Sequence, residues 1–246
     1  TKIFNNSVTS NGGGVASTWN SNTTVINSII HDNSAYRASA FYAYNSDPSL
    51  VNVTIANNSD ISSYASVYSH ISSNLSLVNC IVWNNSPEGI GYNADPGGSE
   101  GATVSVTYSD IYGGYTGTGN INSDPFFVNA ANGDYSLQNY SPAIGAGTAT
   151  GAPTTDIDGN PRPTTNPDMG AYENPLPSQR PKAGAIADGL GTDVDWSNTS
   201  SELSANWTLF TDNDDVIYEY AIGTSTNALA DVVDWTSNSS DTSVTK

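Results

Sequence analysis

The sequence predicts an all-β chain, with a parallel β-solenoid over residues 1–173 and a separate β-rich unit behind it. Three observations carry that prediction: a composition suited to strands and turns, a short phrase that recurs along the first half, and a change of character after Glu173.

Val, Ile, Tyr, Ser, Thr, Asn and Gly are plentiful while Leu and Met are scarce, which favours pleated strands and tight turns over helices. No stretch sustains apolar spacing at helical period. At 246 residues the chain can form one large domain or two smaller ones. A formal net charge of −18 with only six Lys plus Arg cannot neutralise a phosphate backbone, so nucleic acid is not an expected partner. The same charge is repelled by an anionic membrane surface. Membrane insertion is not expected either, because no run approaches the roughly 18 apolar residues a span requires. Cys80 is the single cysteine, which excludes an intramolecular disulfide framework and a CxxC metal site. The opening "TKIF", in mid-motif and without Met, predicts a mature or truncated piece of something longer.

The recurring phrase reads "KIFNNS" (2–7), "INSIIHDNS" (26–34), "VNVTIANNS" (51–59) and "VNCIVWNNS" (78–86). Aligned on Asn6, Asn33, Asn58 and Asn85, the intervals are 27, 25 and 27 residues, and a weaker fifth copy places Gly114 at the same point. A period in this range marks a stacked unit that cannot bury its apolar face alone. Three residues before the aligned Asn stand Ile3, Ile30, Ile55, Val82 and Ile111; eight before it stand Val25, Leu50, Leu77 and Val106. Small residues (Ser28, Val53, Cys80, Ser109) stand five before it. Strict strand alternation cannot turn all three columns inward, so a bend is expected at Asn27, Asn52 and Asn79, six before the aligned Asn. A further apolar column, Val15, Phe41, Val67 and Ile90, supplies another side. Each repeat is thus one coil with short strands on about three faces. The aligned asparagines turn inward and bond to one another across coils, since an amide carries two donors and two acceptor lone pairs.

The string "VNCIVWNNS", followed by "VTYSDIYGG", "SDPFFVNAANGDYSLQNYSPAIGAG" and "DIDGNPRPTTNPDMGAYE", resembles the C-terminal end of right-handed parallel β-helix repeat proteins. These are the pectin-lyase-like proteins found in large secreted bacterial chains, especially of Bacteroidetes type. The resemblance implies a right-handed solenoid over 1–173 whose last segment closes the helix end. It also implies an extracellular or cell-surface location. Residues 174–182, "NPLPSQRPK", read as a stiff linker. Beyond it "LSANWTLFTD", "VIYEYAIGTS" and "VVDWTSNSS" are β-rich runs that resemble strands of a fibronectin type III-like domain. Residues 183–246 are too few for the roughly 90–100 of such a fold, so an incomplete β-sandwich is expected.

Pectin-lyase-like folds host lyases and hydrolases, but fold alone does not assign an activity. Lyase chemistry on uronates needs a strong base and a cation, and the solenoid portion holds only Lys2, Arg37 and Arg162. The hydrolase patterns "NTD", "DD" and "RIK" do not occur there. No catalytic residue is expected in this chain. The expected role is a non-catalytic segment for adhesion, carbohydrate binding or a structural stalk, and the alternative is part of a polysaccharide lyase or hydrolase whose catalytic coils lie upstream. Partners would be a polysaccharide or glycan, or neighbouring domains of the parent protein. If Phe41 and Val67 point inward, Tyr42, Tyr44, Tyr68 and His70 point out, as an aromatic ladder for sugar rings or as pairs that simply stabilise the sheet. His31 reads as an exposed turn residue and Cys80 as a packed thiol. No cofactor is required. Ca²⁺ is the one metal whose oxygen ligands are present at suitable spacing, at Asp156, Asp158 and Asn160 and at Asp212 and Asp214, where the competing reading is ordinary turn chemistry.

Overall fold

The computed structural model describes residues 1–175 except 63, 88 and 94–100, and beyond them the strand backbones at 186–188, 204–207, 218–222, 233–239 and 243–245. The chain divides into two units, Thr1–Ser178 and Gln179–Lys246.

The first unit is a β-solenoid of about four turns. One sheet stacks Lys2–Phe4, Thr24–His31, Ser49–Ala56, Ile81–Trp83 and Asp110–Ile111, with Asn74–Val78 and Thr103–Thr107 continuing its other half. A second stacks Val15–Thr18, Phe41–Tyr44, Val67–His70 and Ile90–Tyr92. A short third side pairs Ser34–Ala35 with Ser59–Asp60. All these pairs are parallel, and the register follows the repeat: Ile3, Ile30, Ile55, Val82 and Ile111 face one another in sequence. So do Val25, Leu50, Leu77 and Val106, and Val15, Phe41, Val67 and Ile90. These columns form the core together with Cys80, whose thiol burial pushes up to about 12.

Both corners flanking the short strand segment are made by asparagine backbone, with Asp32 the one aspartate among them. Asn27, Asn52 and Asn79 have φ of 44°, 52° and 54°. The residue just before each aligned Asn is left-handed too, at Asn5, Asp32, Asn57 and Asn84. Asn and Asp tolerate this region better than other side chains with a Cβ. The phrase "NN" therefore divides its labour, the first residue turning the chain and the second bonding inside it. Asn6 Nδ2 donates to Asn33 Oδ1 at 2.9 Å, Asn33 to Asn58 at 3.0 Å and Asn58 to Asn85 at 2.9 Å.

The C-terminal part of this unit does more than close the helix end. Residues 117–123 do cover the last strand edge, through Tyr108 N–H to Thr118 O, Ile111 N–H to Ile121 O and Ile121 N–H to Ser109 O. The chain then forms an antiparallel hairpin, Phe127–Asn129 with Asp134–Leu137, and returns along the outside of the first sheet as a strap reaching the first coils. The cause is an outward face that water would otherwise meet and that is apolar at Ile29, Ala56 and Ile81, each at most 1% exposed beneath the strap. Tyr135 and Ala171 pack on Ile29 and Ala56, while Leu137, Ala143 and Met169 pack on Ile81. Gly170 lets the strap lie flat, since an added Cβ would come within 2.8 Å of Ile81 and Thr54.

The corner asparagines hold the strap. Asn27 Nδ2 donates to Thr155 O, Asn52 Nδ2 to Asp168 O and Gly170 O, and Asn79 exchanges two bonds with Thr148. Inside the strap the Arg162 guanidinium meets Glu173 Oε2 at 2.7 Å and donates to the carbonyls of Gly170 and Ala171 and to Asn27 Oδ1.

Where the strap begins, Asp110 is fully buried; its Oδ1 accepts from Ser123 N–H at 3.2 Å and its Oδ2 has no partner. Burial pushes its pKa up to about 7. A raised folded pKa stabilises most below the unfolded value, about 4, and that contribution is lost as pH rises through the folded one. The thermal midpoint is expected to fall from about pH 4 to about pH 8. Asp110→Asn should reduce that fall, matching the wild type at the acid end and exceeding it by about 2 kcal/mol at the alkaline end. Thermal melts across the range check this.

In the second unit Ile186–Asp188, Ser204–Trp207 and Ser243–Thr245 form an antiparallel three-stranded sheet, and Tyr218–Ile222 pairs antiparallel with Val233–Ser239.

Candidate functional site

Alternation along the second sheet sends Phe41, Ala43, Val67 and Ser69 inward and their neighbours outward. Parallel pairing then sets Tyr42 against Tyr68 and Tyr44 against His70. The structure brings these four residues together. Tyr42 Oη lies 2.8 Å from His70 Nδ1. Burial and the nearby Arg37 charge lower the His70 pKa, and burial raises that of Tyr42. Both shifts favour the uncharged forms of the pair, which shares one hydrogen bond. The Tyr44 and His70 rings meet edge-on at 5.6 Å, and Trp19 meets Tyr44 edge-on at 5.0 Å.

Facing outward is not the same as being accessible, and here the ladder differs from the expected row of four free rings. Tyr42 is 6% exposed and Tyr68 is 8%. Tyr42 is covered by Ala38, Tyr44 and His70. Tyr68 lies under Tyr64, edge-on at 5.1 Å, while the Arg37 guanidinium sits 3.8 Å over the Tyr64 ring and 5.8 Å over that of Tyr68. Tyr42 and Tyr68 thus form a platform. The rings left to solvent are Trp19, 70% exposed, with the half-buried Tyr44 and His70 in the same row, and Tyr64, 38% exposed, over Tyr68. Trp19 escaped the sequence reading because it lies one residue beyond its strand. The signal was a lone Trp next to Asn20 in a turn.

The other singled-out residues fall elsewhere. Asp156 Oδ1 accepts from the N–H groups of Asp158 and Asn160, and its Oδ2 from Asn160 Nδ2 and Glu173 N–H. Burial alone would raise its pKa, but these donors outweigh it and hold the carboxyl low. "DIDGN" is therefore a turn whose first carboxylate is already occupied by its own loop. Among the described residues no group of three or more His, Cys, Asp or Glu could hold a metal ion. Asp212 and Asp214 lie outside the described residues. His31 is not exposed but 6% accessible, stacked on Phe4 at 5.0 Å, against Tyr135 at 5.0 Å and 2.6 Å from Asp32 Oδ2. The strap that covers it is invisible in the local repeat.

Coils in register, an internal asparagine row and an aromatic outer face define a repetitive β-solenoid scaffold. A family model described as "Right handed beta helix region" matches residues 1–132, and the chain belongs to that family. Among curated proteins and among solved structures, nothing matches the chain.

Proposed function

We propose that this chain is a non-catalytic, carbohydrate-binding segment of a large secreted or cell-surface bacterial protein. In it the solenoid displays the aromatic face of its second sheet, and the unit after residue 182 is a partial fibronectin type III-like sandwich that joins it to neighbouring domains. The observation that carries the reading is the row Trp19, Tyr44 and His70, held on a buried Tyr42–Tyr68 platform. Rings fixed in this way present apolar faces to sugar C–H groups at little entropic cost, while their polar edges take hydroxyls. The cation near them, Arg37, is already packed on the Tyr64 and Tyr68 rings, which favours glycan binding over uronate cleavage. On a glycan array the full chain is expected to bind, and Trp19→Ala/Tyr44→Ala is expected to lose at least about tenfold in affinity, or about 1.4 kcal/mol. Undiminished binding by that variant would sink the reading.

A further inference from the structure

A concave site separate from that face lies where the hairpin crosses the first sheet. Two residues before each aligned Asn an outward column reads Phe4, His31, Ala56, Trp83 and Tyr112. Phe4 and His31 stack on each other, and Trp83 meets Tyr112 edge-on at 5.0 Å. Only Ala56 is small. Tyr135 and Ala171 pack on part of it, and beside them the hairpin leaves a cavity of about 350 Å³. That is at the small end of ligand sites, about 300–1,000 Å³, and suits one or two sugar rings.

Ala56 forms the floor, and Trp83, Phe126 and Phe127 form aromatic walls. Phe126 is 41% exposed and braced edge-on by Tyr140 at 5.1 Å. Two open acceptors stand at the rim, among the side-chain amides of Asn57, Asn84 and Gln138. Asp124 uses Oδ1 for Phe126 N–H at 2.8 Å, leaving Oδ2 open. Asn84 donates to Asn57 Oδ1 at 2.7 Å, leaving its own carbonyl oxygen open. No Lys, Arg or His lines the cavity. Open acceptors above an aromatic wall match the hydroxyls and C–H face of a sugar. An anionic sugar would instead place its carboxylate beside Asp124 with no cation to balance it.

We propose that this cleft binds a neutral hexopyranose unit, independently of the Trp19–Tyr44 face. The test uses the full chain and a panel of methyl glucosides, galactosides and mannosides, followed by titration calorimetry and ligand-observed NMR, with methyl glucuronide alongside. At least one neutral glycoside should bind, and more tightly than the uronate. Ala56→Phe, which fills the floor, should weaken that binding at least about tenfold. Phe126→Ala and Asp124→Ala change exposed groups and should weaken it with the thermal midpoint kept, so the test survives a misfolded Ala56→Phe. Trp19→Ala/Tyr44→Ala should leave it unchanged. The proposal is overturned by no neutral glycoside binding, by a preference for the uronate, by binding that survives all three cleft variants, or by loss confined to the Trp19/Tyr44 variant.

Discussion

Asn58→Ala is expected to destabilise the solenoid by about 4 kcal/mol, a large share of the roughly 5–15 kcal/mol that holds a domain together. Asn58 is 1% exposed and its side chain is fully engaged: Oδ1 accepts from the backbone and side-chain nitrogens of Asn33, and the two Nδ2 hydrogens are shared among Ile30 O, Ala56 O and Asn85 Oδ1. Alanine removes these bonds and leaves their partners buried without water, and each orphaned group costs about 1–3 kcal/mol before relaxation. Stacked repeats depend on nearest-neighbour coupling, so the break falls between coils that must hold each other. Asn6→Ala is the internal control. Asn6 is exposed, and its Nδ2 bonds only Phe4 O and Asn33 Oδ1, so its loss should cost about 1 kcal/mol or less. Urea unfolding followed by far-UV circular dichroism separates the two, and equal midpoints would refute an interior role for the row.

Arg162→Ala is expected to cost about 3–5 kcal/mol through a different mechanism. Its guanidinium and the Glu173 carboxylate have side-chain exposures of 1% and 6%. Removing the cation strands a buried acid that burial, with Asp168 beside it, already pushes up to about 7. It also frees the carbonyls of Gly170 and Ala171 from the donors that fold the strap. The damage should be local first. The strap should become open to protease, and Ile29 and Ile81 should bind a hydrophobic dye, while the strand signal persists. Arg162→Met/Glu173→Leu, which removes both charges, should recover part of the loss. If the double variant is as unstable as Arg162→Ala, the stranded charge is not the cause.

The coils were legible because stacking forces equal positions to share an environment. The columns headed by Ile3, Val25 and Val15 could be read directly as core, and Asn27, Asn52 and Asn79 as bends, from residue type alone. The strap was not legible in that way. Its contacts join Asn79 to Thr148 and Asn52 to Gly170 across some 69 and 118 residues of sequence, and no periodicity links such partners. One clue did stand in the repeat: the outward Ile29 and Ile81 are apolar where a solvated sheet would be polar. For the aromatic face, alternation correctly set Tyr42 and Tyr68 outward. The burial of Tyr68 depends on Tyr64 and Arg37, and that of Tyr42 in part on Ala38; these lie outside the strands of the second sheet, where strand parity gives no guide.

The internal asparagine row is not symmetric end to end. Each amide turns its oxygen toward the first coil and its nitrogen toward the last, and none of the three links is reversed. Side-chain amides have dipoles close to the peptide's, about 3.5 D, and parallel alignment adds them as it does along an α-helix. The solenoid thus carries an axial electric moment, partially negative at its first coil and partially positive at its last. Lys2, one of the few cations in this acidic chain, stands on the first coil over the Tyr172 ring. It lies at the end where that moment draws positive charge.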